Sequence, residues 1–262
     1  MTNYIHIIPV GLEKDRSIHL LKKFPPFRVY LLKYRNETKT DLKYYELASK
    51  INKEIESLIT LAEKKYVTVS YEDFEELFLT VFAIMAKEKD ENNEVIAHVF
   101  AGPRMVCYAS WLAASLTNSK AFYIRAEEYM PTEKNNFLLG EVSKGVLKEI
   151  ELLKIPVVVP SRIEIILLEY LLDHKGSVSG SLRSFVNKIG IKNLGKIKSI
   201  NSAIVKISYC IRELKRNNYI IVKKISRKRQ KIELTNLGAL AAKTYKILKE
   251  KKFSSPYFPI SW

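Results

Sequence analysis

The second half of this 262-residue chain is almost without acid. From Pro156 to Trp262 there are 6 Asp+Glu against 22 Lys+Arg, while Met1 to Ile155 holds 22 of each sign. The whole formal charge of +16 therefore falls in the last 107 residues. So basic a segment, with so few acids to neutralise it, is expected to hold a polyanion, most simply nucleic acid. Cysteine is scarce as well. Cys107 and Cys210 stand alone, one in each half, and neither belongs to a C-x-x-C pair, which argues against zinc and against a disulfide framework. Both lie in apolar helical patterns, as buried inert thiols do. With 9 Gly and 9 Pro, and 47 % apolar residues, the composition is neither fibrous nor disordered. No apolar run reaches the roughly 18 to 20 residues of a membrane span. The opening Met1–His6 lacks the basic-then-apolar plan of a secretory leader. A cytoplasmic protein with reduced thiols is expected.

Familiar catalytic signatures are also missing. No G-x-G-x-x-G or G-x-x-x-x-G-K-[ST] occurs, so common dinucleotide and nucleoside triphosphate sites are not indicated. The four histidines, His6, His19, His98 and His174, form no Ser-His-Asp grouping and no metal cluster. His98 sits inside a strand pattern and reads as a core residue. The sequence therefore predicts no metal, no resident cofactor and no catalytic residue.

What is present is alternation. Tyr4–Val10, Phe27–Leu32, Tyr66–Ser70, Val95–Phe100 and Lys120–Arg125 are short apolar or β-branched runs that read as strands. Between them lie helical patterns at Leu12–Phe24, Asp41–Lys64, Tyr71–Lys87 and from Gly102 to about Leu116. Strand and helix in strict turn predict an α/β fold, a Rossmann-like, mainly parallel sheet with helices on both faces. Such a sheet binds ligands beyond the carboxyl ends of its strands. Two loops there each place a glycine, a helix start and an arginine together. One holds Gly11, Asp15 and Arg16; the other holds Gly102, Arg104 and Met105. Backbone N–H groups at a helix start with an arginine nearby suit a phosphate. The same glycines also serve as plain turn residues, and Asp15 with Arg16 as a surface pair.

The basic half changes pattern. Pro156–Pro160 reads as a last short strand leading into a linker. Ser161 caps a helix with Ile163, Ile166, Leu167, Tyr170 and Leu171 on one face. A short helix follows over Ser181–Ile189, then a polar basic connection, Lys192–Lys198. A third helix begins near Ser199, with Ile200, Ile204, Ile207, Ile211 and Leu214 on its apolar face. Asn201, Ser202, Lys206, Tyr209 and Arg212 lie on the other. Two β-rich segments, Tyr219–Ile225 and Lys231–Leu234, flank the basic tip Ser226–Gln230. Thr235 caps a final helix to about Lys249. The domains expected are 1–155, 156–250 and an aromatic tail, 251–262.

The stretch Ile211–Ile220, with its Leu214 and Tyr219-Ile220, and then Leu234-Thr235-x-x-Gly238 after a basic hairpin, resembles the winged helix-turn-helix family. That resemblance implies a third helix in the major groove, with Asn201, Ser202, Lys206 and Tyr209 near base edges. It implies a wing whose Arg227, Lys228 and Arg229 meet phosphate or the minor groove of double-stranded DNA. The two parts in this order, with the Ile5–Arg16 opening and the Ala101–Met105 loop, resemble the CRISPR-associated Rossmann-fold (CARF) regulators of archaea. Gly102, Arg104 and Met105 fall on that group's Gly-Gly-Thr-Lys-like stretch; the Thr and one Gly are missing, and Pro103 removes an N–H. The resemblance implies a homodimer with a cyclic oligoadenylate, often cyclic tetra-adenylate, bound by Gly11, Asp15, Arg16, Gly102, Arg104 and Met105. It implies transcription regulation in CRISPR antiviral defence. The alternative it carries is a metal-independent ring nuclease that cleaves cyclic tetra-adenylate, with the winged helix as scaffold.

Overall fold

A computed structural model describes residues 2–35, 42–129, 143–155, 159–195, 197 and 199–250. They form two compact units, one up to residue 155 and one from residue 159. The expected strand at Pro156–Pro160 lies largely outside the described residues, and Val159 and Pro160 are not in a strand. The tail, 251–262, also lies outside them.

The first unit runs β1 (Tyr4–Pro9), α1 (Lys14–Lys23), β2 (Pro26–Tyr34), α2 (Leu42–Leu58), β3 (Glu63–Val69), α3 (Phe74–Asp90), β4 (Glu94–His98), α4 (Arg104–Leu116), β5 (Lys120–Tyr129) and β6 (Ser143–Glu151). The sheet order is β3-β2-β1-β4-β5-β6. Every pairing is parallel except β5 with β6. This is a Rossmann-like, mostly parallel α/β sheet, and its order reverses between β1 and β4. The central strands are mostly apolar because both faces are covered. Ile8, Val29, Leu31, Ile96 and Ile124 pack with Leu20, Leu21, Ile51 and Ile55 from α1 and α2. Residues of opposite parity, Ile5, Ile7, Tyr30 and Leu32, are equally buried. Helix starts follow local chemistry. The Asp73 carboxylate accepts the Glu76 N–H at 3.0 Å, with Glu75 and Glu76 in the first turn of α3 and Lys87 and Lys89 in its last.

The long helix expected over Asp41–Lys64 is in fact shorter. α2 stops at Leu58, and Glu63–Lys65 already belong to β3. β3 is an edge strand with an exposed face, so its charges mimic a helical polar stripe. Arg28 of β2 lies opposite Glu63 and binds it at 2.5 Å. The edge strand β6 has no counterpart in the sequence pattern, since most of its residues face solvent and it shows little apolar alternation.

The second unit runs α5 (Arg162–Asp173), β7 (Ser177–Gly180), α6 (Leu182–Ile189), a 3-10 turn (Ile191–Leu194), α7 (Ile200–Arg216), β8 (Ile220–Lys224), β9 (Gln230–Leu234) and α8 (Asn236–Glu250). Its antiparallel sheet has the order β7-β9-β8. β7, four residues with one buried apolar side chain, is not legible as a strand in the sequence. The core joins Leu167, Leu168 and Leu171 of α5 to Phe185 and Val186 of α6 and to Ile207, Ile211 and Leu214 of α7. The Glu164 carboxylate accepts the Ser161 N–H at 2.6 Å, closing the start of α5. The Thr235-x-x-Gly238 motif has a physical basis here. The Thr235 hydroxyl donates to the Asn218 carbonyl at 2.7 Å and accepts the Gly238 N–H at 3.0 Å. A Cβ on Gly238 would sit 2.0 Å from the Tyr219 carbonyl oxygen. Only glycine lets α8 start against β8.

Candidate functional site

In the first unit the candidate site lies where β1 and β4 diverge. Its two loops touch each other. A Cβ on Gly11 would fall 1.4 Å from the Ala101 carbonyl oxygen, and one on Gly102 would fall 2.6 Å from Pro9 Cβ and 2.8 Å from Val106 Cγ1. Both glycines are required by this loop-to-loop packing.

Arg16, expected at the mouth of the crevice, is turned inward and only 5 % exposed. Its guanidinium pairs with both oxygens of Glu13, one turn earlier, and donates to the Ile124 carbonyl at 3.0 Å. The rings of Phe100, Tyr123 and Tyr129 surround it at 5.3, 5.9 and 5.5 Å. The Ser143 hydroxyl donates to Glu13 at 3.1 Å. Sequence reading misses this cage: the Glu13–Arg16 spacing is a visible signal, but the aromatic and Ser143 contributions are not. Asp15 is half-buried beside it on α1.

Arg104 and Met105 stand differently. Both are exposed on the first turn of α4, next to Tyr108, which is also exposed. An arginine over an open helix start is a place where an anion gains both charge and N–H donors. Cys107, one turn in, is buried; its thiol donates to the Gly102 carbonyl at 3.5 Å, and burial raises its pKa, which disfavours the thiolate.

His6 and His98 face each other across β1 and β4, Nδ1 to Nε2 at 2.9 Å, and both are fully buried. His6 Nε2 lies 2.8 Å from the Phe24 carbonyl. A carbonyl only accepts, so Nε2 of His6 carries its proton and Nδ1 accepts from His98. His98 Nδ1 is then a buried lone pair with no partner. Burial lowers the His6 pKa to about 4, against the pull of the Phe24 carbonyl. Burial, and then the nearby His6, hold His98 well below the ordinary value.

In the second unit all seven residues expected at DNA are exposed. Asn201, Ser202, Lys206 and Tyr209 lie on the outer face of α7, and Arg227, Lys228 and Arg229 form the hairpin tip. The Ser199 hydroxyl caps α7 by accepting the Ser202 N–H at 3.2 Å. Lys206 Nζ and the Arg212 guanidinium lie 5.7 and 5.4 Å from the centre of the Tyr209 ring, so Tyr209 gathers two cations on that face. The hairpin closes through the N–H groups of Ile225 and Ser226, which donate to the Arg229 carbonyl at 3.0 and 3.1 Å. This pins the loop and points three cationic side chains outward.

Among the described residues no three His, Cys, Asp or Glu side chains converge on a metal position, and no helix is long and apolar enough to cross a membrane. No curated protein matches the chain. Similar solved structures include Csm6 of Enterococcus italicus bound to cyclic hexa-2'-fluoro-hexa-dAMP, at 14 % identity and a TM-score of 0.43, covering 84 % of this chain and 56 % of that one. Can2 from Sulfobacillus thermosulfidooxidans, in complex with cyclic tetra-adenylate, aligns at 12 % identity and a TM-score of 0.38, over 95 % of this chain and 68 % of that one. VC1899 from Vibrio cholerae aligns at 10 % identity and a TM-score of 0.36, over 94 % of this chain and 65 % of that one. The chain thus spans little more than half the length of Csm6. Residues 4–129, from β1 to the end of β5, match the family model described as "HFX_2341_N:-like, N-terminal".

Proposed function

We propose that the chain is a homodimeric DNA-binding regulator, with a winged helix-turn-helix in its second unit and a sensor for a cyclic oligoadenylate in its first. The observation that carries the reading is the exposure of uncompensated positive charge along α7 and the hairpin tip. α7 would lie in the major groove. There Asn201 offers the donor and acceptor pair that suits an adenine edge, and Ser202 serves either base type. Lys206, Arg212 and the three wing cations would neutralise phosphates, which fixes register and makes affinity salt-dependent.

The sensor reading rests on the two loops, on the open start of α4 with Arg104, and on the sequence resemblance to CARF regulators. Arg104 and the α4 N–H groups would meet a ligand phosphate. Arg16, already neutralised by Glu13, would support the floor beneath it.

The test has two arms. Fluorescence anisotropy with a labelled DNA duplex, at rising salt, is expected to show binding that weakens steeply. Binding that ignores salt overturns the DNA reading. Incubation with cyclic tetra-adenylate followed by chromatography is expected to return intact ligand retained by the protein and lost in Arg104→Glu. Linear products would establish the ring nuclease instead, and no retention would remove the sensor.

A further inference from the structure

Away from α7 and the hairpin, the second unit contains a half-open cavity of about 620 Å³. It lies between α5, the corner where α6 meets the 3-10 turn, and the end of α8. That volume falls within the range of small-molecule sites, roughly 300–1,000 Å³. Its floor is apolar, formed by Ile165 and Ile166 with the buried Ile189. Its rim carries Arg162, Lys188 and Lys192, all exposed, and the exposed Asp173, which Lys246 binds at 3.3 Å. None of the three rim cations has an ion-pair partner among the described residues. On the wall, Glu169 gives one oxygen to Lys249 at 2.7 Å, while its other oxygen is buried without a partner. The Tyr170 hydroxyl, on the same wall, is likewise buried and unpartnered. Two orphaned polar atoms beside one cavity are unusual in a folded domain. None of the residues expected at DNA lines it.

We propose that this cavity binds a small amphipathic organic anion. Its acidic head would lie among Arg162, Lys188 and Lys192, and its apolar or aromatic body would cover Ile165, Ile166 and Ile189. A bare inorganic anion matches only the rim, and a neutral apolar molecule matches only the floor. The site is independent of the DNA and cyclic oligoadenylate readings.

The probe is 8-anilinonaphthalene-1-sulfonate, an aromatic sulfonate, titrated by fluorescence into the full chain, with inorganic phosphate as competitor. One saturable site per chain is expected, and an equal concentration of phosphate leaves the probe bound. Lys188→Glu with Lys192→Glu is expected to raise Kd at least tenfold. These side chains are exposed, so the fold is not at risk. Arg227→Glu with Lys228→Glu and Arg229→Glu, which removes more charge but lies elsewhere, is expected to leave Kd unchanged. Non-saturable fluorescence, an unchanged Kd in the Lys188/Lys192 variant, or an equal loss in the hairpin variant would each overturn the proposal.

Discussion

The two units use the same side chains for opposite purposes. In the first, Arg16, Arg28 and Arg35 are internal struts, while Arg104 and Arg125 stay exposed. Arg16 is locked to Glu13; Arg28 binds Glu63 and the fully buried Glu88 side chain; Arg35 binds Glu76. Glu88 alone accepts from Arg28 at 2.6 Å, Tyr30 at 2.5 Å and Asn93 at 2.7 Å. Burial and the bond to Glu88 raise the Tyr30 pKa, so the phenol stays protonated. In the second unit the few acids satisfy neighbouring lysines, as Glu233 does for Lys223 and Lys231, and the hairpin tip stays bare. A balanced charge count therefore signals an internally wired unit rather than an inert one. An unbalanced count leaves cations bare at the surface, and the proposed DNA binding rests on them.

The contrast breaks first at Glu88. Glu88→Ala leaves a buried phenol and amide without their acceptor and takes one of the carboxylates from Arg28, and is expected to cost about 3–5 kcal/mol in urea unfolding. A cost below about 1 kcal/mol would mean that the struts carry no weight. The converse substitution is charge reversal at the hairpin tip, Arg227→Glu with Lys228→Glu and Arg229→Glu. Stability is expected to move by less than about 0.5 kcal/mol, as for other surface changes. Duplex affinity at low salt is expected to fall roughly a hundredfold, about 2.7 kcal/mol. The log–log salt slope should flatten by about 0.9 for each phosphate that the variant no longer neutralises. Unaltered DNA binding would remove the hairpin from the interface.

A third prediction concerns pH. Above the ordinary histidine value of 6.5, His6 and His98 are neutral in both the folded and unfolded chain, and no proton uptake opposes folding. As pH falls below 6.5 the unfolded chain takes up protons first. Stability in the first unit then drops by about 1.4 kcal/mol per pH unit for each histidine. The contribution of His6 levels off near pH 4, where the folded form protonates as well. Urea midpoints followed from pH 7.5 to 4.5 should show this slope, and it should shrink in His98→Phe. A flat profile would overturn the buried neutral pair. The smallest effect belongs to Lys14→Ala, which removes a pair to the half-exposed Glu54. A loss under about 1 kcal/mol is expected, since such pairs are screened by solvent and salt.

Much of the architecture is legible in the sequence because burial leaves a rhythm. β1, β2, β4 and β5 are covered on both faces and read as apolar runs, and α7 shows its buried side at steps of three and four. The edges are legible only in part: Tyr66–Ser70 reads as a strand and most of it lies in β3, while Glu63–Lys65 and β6 do not read so. β3 and β6 have open faces, and Glu63, Lys64 and Lys65 follow neither the rhythm of a strand core nor a helix break. The site is half legible. The glycines and helix starts stand where expected, but the burial of Arg16 depends on partners far along the chain. The Ile124 carbonyl that holds it is 108 residues away, and local spacing cannot convey such a contact.

The contact between Gly11 and the Ala101 carbonyl has a mechanical consequence. No methyl group fits there, so the ends of β1 and β4 meet backbone to backbone and form one continuous lip. Any side chain larger than hydrogen at Gly11 would have to part the two loops that follow β1 and β4.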